Sequence, residues 1–365
     1  MHGTVPLARR NLLAEPRRLL ASAGGVGLAV MLILVLDGLW AGIKSGVTVY
    51  EDNVGADLYV AQAGTYNFYG SSSRIPASMV DVVSDDPDID WAVPVRAFFS
   101  IVDLHDRKVP VVVIGSVPGK RGGPWELGSG RAPANDDQVV VGRVLARRHN
   151  LDIGDSIDIM GRRFTIVGTG SDAFMASFVF MTHGATDALL AAPGTTSFVL
   201  VGTDRPHAVR SRLVAGGYTA LDRDQLAVND FELIARAYSV PMRFMTGVAF
   251  VIGSLVIALS AYSAIADRRR EYGIVKAIGG HGRYLFGLAM RQTMMIAAAG
   301  LLAGFVLFLV GRSAIVWVRP QFTVVTTGTS LARAVGAAVV MGAIAAIVPA
   351  RRLARLDPAS AYRGA

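Results

Sequence analysis

Four long apolar runs divide the chain. Leu19–Leu36 is uncharged for 18 residues and Phe244–Ala266 for 23, and Gln292–Gly311 and Ala334–Ala350 follow. At about 1.5 Å per residue, helices of this length cross a hydrocarbon core about 30 Å thick. The first run is longer than a signal-peptide core and no small-x-small cleavage site follows it, so it reads as a retained span. The pattern predicts transmembrane helices over 19–40, 244–266, 292–318 and 331–350. An interfacial segment (1–18) precedes them, a cytoplasmic coupling segment (267–291, with 281–291 at the inner interface) joins the second and third, an outer loop (319–330) joins the last two, and a tail (351–365) closes the chain.

Between the first two spans lies an insertion, 41–242, with a different rhythm. Val109–Gly115, Gln138–Val141, Ser156–Met160, Arg163–Val167, Phe178–Thr182 and Ser197–Val201 are short β-branched or alternating runs bounded by Gly, Pro and Asp, the pattern of strands. Leu151–Ile157 followed by Gly161–Phe164 reads as a turn feeding a hairpin. Pro76–Ser84, Gly142–His149, Ala185–Ala191 and Pro206–Ala215 read as helices. About 200 residues can bury a core of their own, so the fold class is membrane α-helical with an α+β extracytoplasmic domain inserted between the first and second helices. In its last part, 226–243, Phe231, Ile234, Ala235 and Tyr238 fall at helical spacing and predict an amphipathic stalk running into the second span, kinked near Pro241.

Composition agrees. The 365 residues are 52% hydrophobic and 18% charged, with formal net charge +8. The basic clusters flank the apolar runs, so they mark membrane orientation and give no reason to expect nucleic acid. Four arginines before the first span and three after the second place both termini on the cytoplasmic side, and the heavy use of Ala, Gly, Val and Arg points to a GC-rich bacterial genome, hence to a bacterial plasma membrane. There is no cysteine, which removes disulfides, thiolate catalysis and Cys-based metal sites.

The three arginines open the stretch around which the reading is organised, Asp267–Gly280. Ile274 and Ile278 are four apart with Val275 beside them, Arg270 and Lys276 stay solvated, and Gly279-Gly280 stops the helix. A short amphipathic element between two spans is suited to docking in a groove on a soluble partner. Arg269 through Gly280 resembles the coupling segment of FtsX/MacB-family ABC transporter permeases, with Gly280 where Ala is usual. Gly55–Val60, Leu151–Ile157 and Phe164–Gly168 are similar to motifs of that family's extracytoplasmic domain, and Pro349–Ala359 is similar to its closing segment.

The resemblance implies a DevC-like, mechanotransmission-type permease with a reduced extracytoplasmic domain. It would be a homodimer joined by two copies of a separate ATPase that binds ATP and Mg, with no cofactor in this chain. It assigns ATPase coupling to Arg269, Glu271, Tyr272, Gly273, Ile274, Val275, Lys276, Ala277, Ile278 and Gly279. The implied function is export or extraction of a substrate, with an extracytoplasmic adaptor or substrate protein as a further partner. The alternatives are a non-transporting scaffold of FtsX type that controls partners such as cell-wall hydrolases and, ranked below it, a solute-uptake permease.

Catalytic constellations are missing from the sequence. Gly115–Arg121 lacks Walker A spacing, the six histidines form no HExxH, and no GxSxG occurs. The expectation is a non-enzymatic membrane subunit without a metal. Asp85–Asp90 reads as a solvated turn rather than a calcium loop. Tyr66–Gly70 reads either as a partner contact or as a loop packed on its own domain. Gly300 and Gly304, and Ala338, Gly342 and Ala346, form small faces that let membrane helices approach closely.

Overall fold

The computed structural model describes residues 16–69, 73–104, 107–173, 176–267, 269–277, 281–318 and 324–354. The chain divides into two compact units: Gly42–Tyr238, and a helical unit of residues up to Ala41, Ser239–Val318 and Val324 onward. The expected segment 1–18 lies outside the described residues except for its last three positions, which already belong to helix α1 (Pro16–Val47).

The Gly42–Tyr238 unit is built on one mixed sheet. Among the described residues eleven strands join it, with a central order β1 (Leu58–Ala61), β12 (Phe198–Gly202), β3 (Trp91–Leu104), β4 (Arg107–Ser116), β10 (Ala176–Thr182), β6 (Gln138–Gly142) and β8 (Arg162–Gly170). The pairs β4/β10 and β6/β8 are parallel. Both sheet faces are covered there, which explains why β6 and β10 are buried at every position and largely apolar instead of alternating. Phe178, Phe180, Val112 and Ile114 face one core, and Val179, Met181, Val111 and Val113 face the other. The first core also takes Tyr50 and Val54 from α2 (Val49–Val54) and Leu226 from the start of α7 (Arg223–Asp267).

The hairpin read at 151–164 forms between β7 (Ser156–Ile159) and β8, with Ile159 opposite Arg162. Met160 and Gly161 both take positive φ, 52° and 79°, as a two-residue turn of this twist requires. The helix read from Pro76 begins instead at Met79 (α3, Met79–Ser84), because Pro76 pairs with Thr195 as a short strand. The 14-residue strand β3 was not among the expected elements. Its charged and proline positions, Arg96 and Pro94, obscure the apolar rhythm.

In the helical unit α1, α7, α9 (Gly282–Val318) and α10 (Gly328–Ala354) are each long and apolar enough to cross a membrane. Pro241 lies inside α7 without ending it. Segment 281–291, expected as a separate interfacial piece, is continuous with the third span in α9. Val26, Val30, Ile257, Ile296, Phe308, Ala338 and Met341 share a buried core. Outward positions stay apolar: Leu255 is 64% exposed, Leu302 71% and Trp317 85%. So broad an exposed apolar surface is stable against lipid, not water.

Candidate functional site

The short helix α8 (Arg269–Ala277) lies between α7 and α9 and carries the arginine-rich segment. A nine-residue helix is marginal alone, so packing must hold it. Tyr272 supplies that hold. It is 3% exposed and shares a buried cluster with Ile265, Leu285, Leu288, Ala289 and Ala350, onto which Val275 also packs. The Gln292 side-chain amide donates to its hydroxyl at 3.3 Å. Burying such a ring contributes roughly 1.5–3 kcal/mol, and the hydrogen bond satisfies its polar end. Gly273 beside it is buried as well.

The opposite stripe, Arg270, Ile274 and Ala277, is exposed, with Ile274 at 41%. The spacing i, i+4, i+7 puts these three on one face. The structure thus separates residues that the sequence groups together. Tyr272, Gly273 and Val275 turn toward the membrane unit, and Ile274 turns away from it. Glu271 is exposed and Lys276 half-buried. Ile278, Gly279 and Gly280 lie outside the described residues, and Arg269 is described in its backbone only.

The small faces fall within the helical unit. A side chain at Gly304 would meet Val30 Cβ at 2.7 Å and the Gly27 carbonyl oxygen at 2.8 Å, and one at Gly300 would overlap Val26. The GxxxG therefore seats α9 on α1. At Gly342 a Cβ would come within 2.9 Å of Met294 and 3.1 Å of Ala297, so this face of α10 packs on α9. Ala338 and Ala346 are buried at 2% and 0%.

In the α/β unit Phe68 and Tyr69 of the aromatic stretch pack on their own domain, whereas Tyr66 is 55% exposed and Gly70 lies outside the described residues. Phe68 stacks between Tyr50 and Phe198, with ring centroids 4.7 and 4.9 Å away. Its N–H and that of Tyr69 donate to the Asp230 carboxylate at 3.0 and 3.3 Å. Glu51, from α2, lies beside Asp230 and is fully buried, and no hydrogen bond reaches either of its carboxyl oxygens. Burial pushes the Glu51 carboxyl well above its usual range, and the Asp230 charge adds to this. Asp230, which belongs to the α/β unit and lies before the uncharged 244–266 stretch, is raised by burial to about 6. Sequence reading missed this pair, since nothing local distinguishes Glu51 from a solvated acid.

The acidic run is a clasped turn. Arg212 holds Asp86 and Asp88 at 2.8 and 2.9 Å, and Arg205 reaches Asp88 at 3.2 Å. Among the described residues no group of three His, Cys, Asp or Glu side chains is arranged to hold a metal ion.

A polytopic protein with a folded α/β unit between its first two spans, and an anchored short helix between its second and third, has the architecture of a transporter's membrane subunit. Residues 19–215 match the family described as MacB-like periplasmic core domain, and residues 243–358 match the FtsX-like permease C-terminal family. An uncharacterized ABC transporter permease of Mycobacterium tuberculosis is 28% identical over 369 residues, covering 98% of this chain and 99% of that protein. Another, from Mycobacterium bovis, is 27% identical over 368 residues with the same coverage. The pyoverdine export ATP-binding/permease protein PvdT of Pseudomonas syringae pv. tomato is 22% identical, covering 92% of this chain and 56% of that protein. The crystallised periplasmic region of MacB from Actinobacillus actinomycetemcomitans aligns with 49% of this chain and 94% of its own, at 12% identity and TM-score 0.37. The chain belongs to the FtsX/MacB family of ABC transporter permeases. The α/β unit is its extracytoplasmic domain, and membership of this family implies an ATPase partner.

Proposed function

We propose that α8, with Ile278 and Gly279 after it, docks the separate ATPase and passes its nucleotide-driven movement to the extracytoplasmic domain. Two copies of the permease work with two of the ATPase, which binds the ATP and Mg. Both termini and α8 lie on the cytoplasmic side, and the work done is export or extraction of a substrate. The observation that carries this reading is the division of α8 into two faces. Tyr272 and Val275 fix the helix to the membrane unit, and Ile274 and Ala277 face outward. An apolar residue flanked by charge suits a groove in a soluble protein.

The test replaces both Ile274 and Ile278 by Asp in the full-length chain reconstituted with the ATPase that co-purifies with it. Stimulation of ATP hydrolysis by the permease should fall at least tenfold. The unfolding temperature of the permease should hold, because Ile274 faces outward. Undiminished stimulation in the folded double variant overturns the docking assignment. ATP-dependent efflux of cargo from vesicles separates export from the scaffold reading, in which hydrolysis proceeds without flux.

A further inference from the structure

Within the helical unit a cavity of about 510 Å³ opens between α1, α7 and α10. Its walls change character along the helix axes. Ile33 on α1, Phe250 on α7 and Ala337 on α10 form an apolar level. One helical turn or two away, toward the ends at Val47, Arg223 and Gly328, stand Asp37, Arg243 and Arg333. The three helices place charge at the same end because α1 runs in the sense opposite to α7 and α10 in the four-span order. Arg333 donates to Asp37 at 2.7 Å. Arg243 is exposed, and no acidic side chain pairs with it among the described residues. Two arginines against one aspartate leave the rim with one positive charge in excess.

We infer that this cavity binds an anionic amphiphile, with a single apolar chain between Ile33 and Phe250 and a phosphate or carboxylate head at Arg243 and Arg333. The volume lies in the roughly 300–1,000 Å³ range of small-molecule sites. The guanidinium fork matches a phosphate or carboxylate. A cation at the end of a membrane helix marks the depth at which an amphiphile changes from tail to head. Asp37 orients Arg333 toward the rim and makes the site selective, since it repels an anion seated away from Arg243. The same head-and-chain chemistry belongs to bilayer phospholipid and to a free amphiphile. The site needs no ATPase docking, so it stands apart from the coupling role given to α8.

Trp40 also lines the cavity and reports on it. The full-length chain carrying Trp317→Phe, held in a neutral detergent, is titrated with a chain-brominated alkyl phosphate. Trp91 and Trp125 lie in the α/β unit, so quenching reads Trp40. The expected result is saturable quenching, at least tenfold weaker for a brominated alkyl glycerol without charge and at least tenfold weaker after Arg243→Gln. Equal quenching by the charged and neutral probes, or unchanged quenching in Arg243→Gln, overturns the site. Displacement of the probe by inorganic phosphate alone also overturns it, because the head would then bind without the chain. In nanodiscs, displacement by phosphatidylglycerol but not phosphatidylcholine identifies a bilayer lipid as occupant. Retention of the probe against both identifies a free amphiphile, and either result upholds the site.

Discussion

Every residue of β10, from Ala176 to Thr182, is buried, whereas along α9 burial alternates with exposure. Gly300, Gly304 and Phe308, four apart, are inside, and Leu302, Val306 and Val310, also four apart, are 71%, 60% and 65% exposed. β10 and the middle of α9 are both predominantly apolar, so composition does not separate them. The solvent does. In the α/β unit water drives both faces of the strand into cores. In the membrane unit lipid is as apolar as leucine, and only close packing of small residues selects the inward face. One unit is held by large side chains, and the other brings its helices together at small residues beside a core that still holds Ile296, Phe308 and Met341.

That contrast can be broken by substitution. Phe178→Ala empties the core beneath Trp125, whose ring lies 5.7 Å away, and should destabilise the α/β unit by about 3–5 kcal/mol. Thermal unfolding followed by tryptophan fluorescence reads the loss. Leu302→Ala on the lipid-facing side of α9 should leave the transition within about 0.5 kcal/mol. Comparable losses in both variants would mean that α9's outer face is covered by protein.

A smaller effect sharpens the membrane side of the comparison. Gly304→Leu forces side-chain atoms against Val30 and the Gly27 carbonyl, and such overpacking destabilises by about 1–3 kcal/mol. Gly336→Leu on α10 is the matched control, because nothing lies within 4 Å of a Cβ there. The readout is the yield of monodisperse protein after graded heating in detergent. Equal survival of the two variants would remove close approach as the reason for glycine at 304.

How far each region could be read in advance follows the same division. The four spans are legible because length and absence of charge define them, and the coupling stretch because three arginines and a double glycine bracket it. The strands around Val109–Gly115 and Phe178–Thr182 are legible as β-branched runs. The inward role of Tyr272 is not, since a tyrosine beside Glu271 and Arg270 reads as solvated until Leu285 and Ala350 come from elsewhere in the chain to cover it. Arg333 and Arg243 were passed over for a like reason. The cavity that gives them meaning needs helices 90 residues apart in sequence, Arg243 on α7 and Arg333 on α10. Glu51 and Asp230 are separated still further and meet only when the loop at Phe68 folds over them.

The Glu51–Asp230 pair gives the finest test of how the α/β unit treats polar groups. Two carboxyls are buried side by side, and among the described residues no basic side chain pairs with either. Asp52 nearby adds a further negative charge, although Arg223 holds it at 2.6 Å. Tyr50, Tyr59 and Tyr69 face the pair, and the Tyr59 hydroxyl donates to the Glu51 backbone carbonyl at 3.4 Å. Both carboxyls therefore hold protons more tightly in the folded state than in the unfolded one. The stability they confer is complete below the ordinary carboxylate range and is lost as pH rises, through about 6 for Asp230 and through the raised range of Glu51. Glu51→Gln keeps the shape, removes one titrating group, and offers an amide N–H to Asp230. The unfolding temperature of the native chain should fall from pH 5 to pH 8 by several degrees more than that of the variant, with the curves converging at the acid end. Parallel curves across that range would show that the pair exchanges no proton on unfolding, and that the α/β unit tolerates two buried charges as readily as the membrane rim tolerates Asp37 beside Arg333.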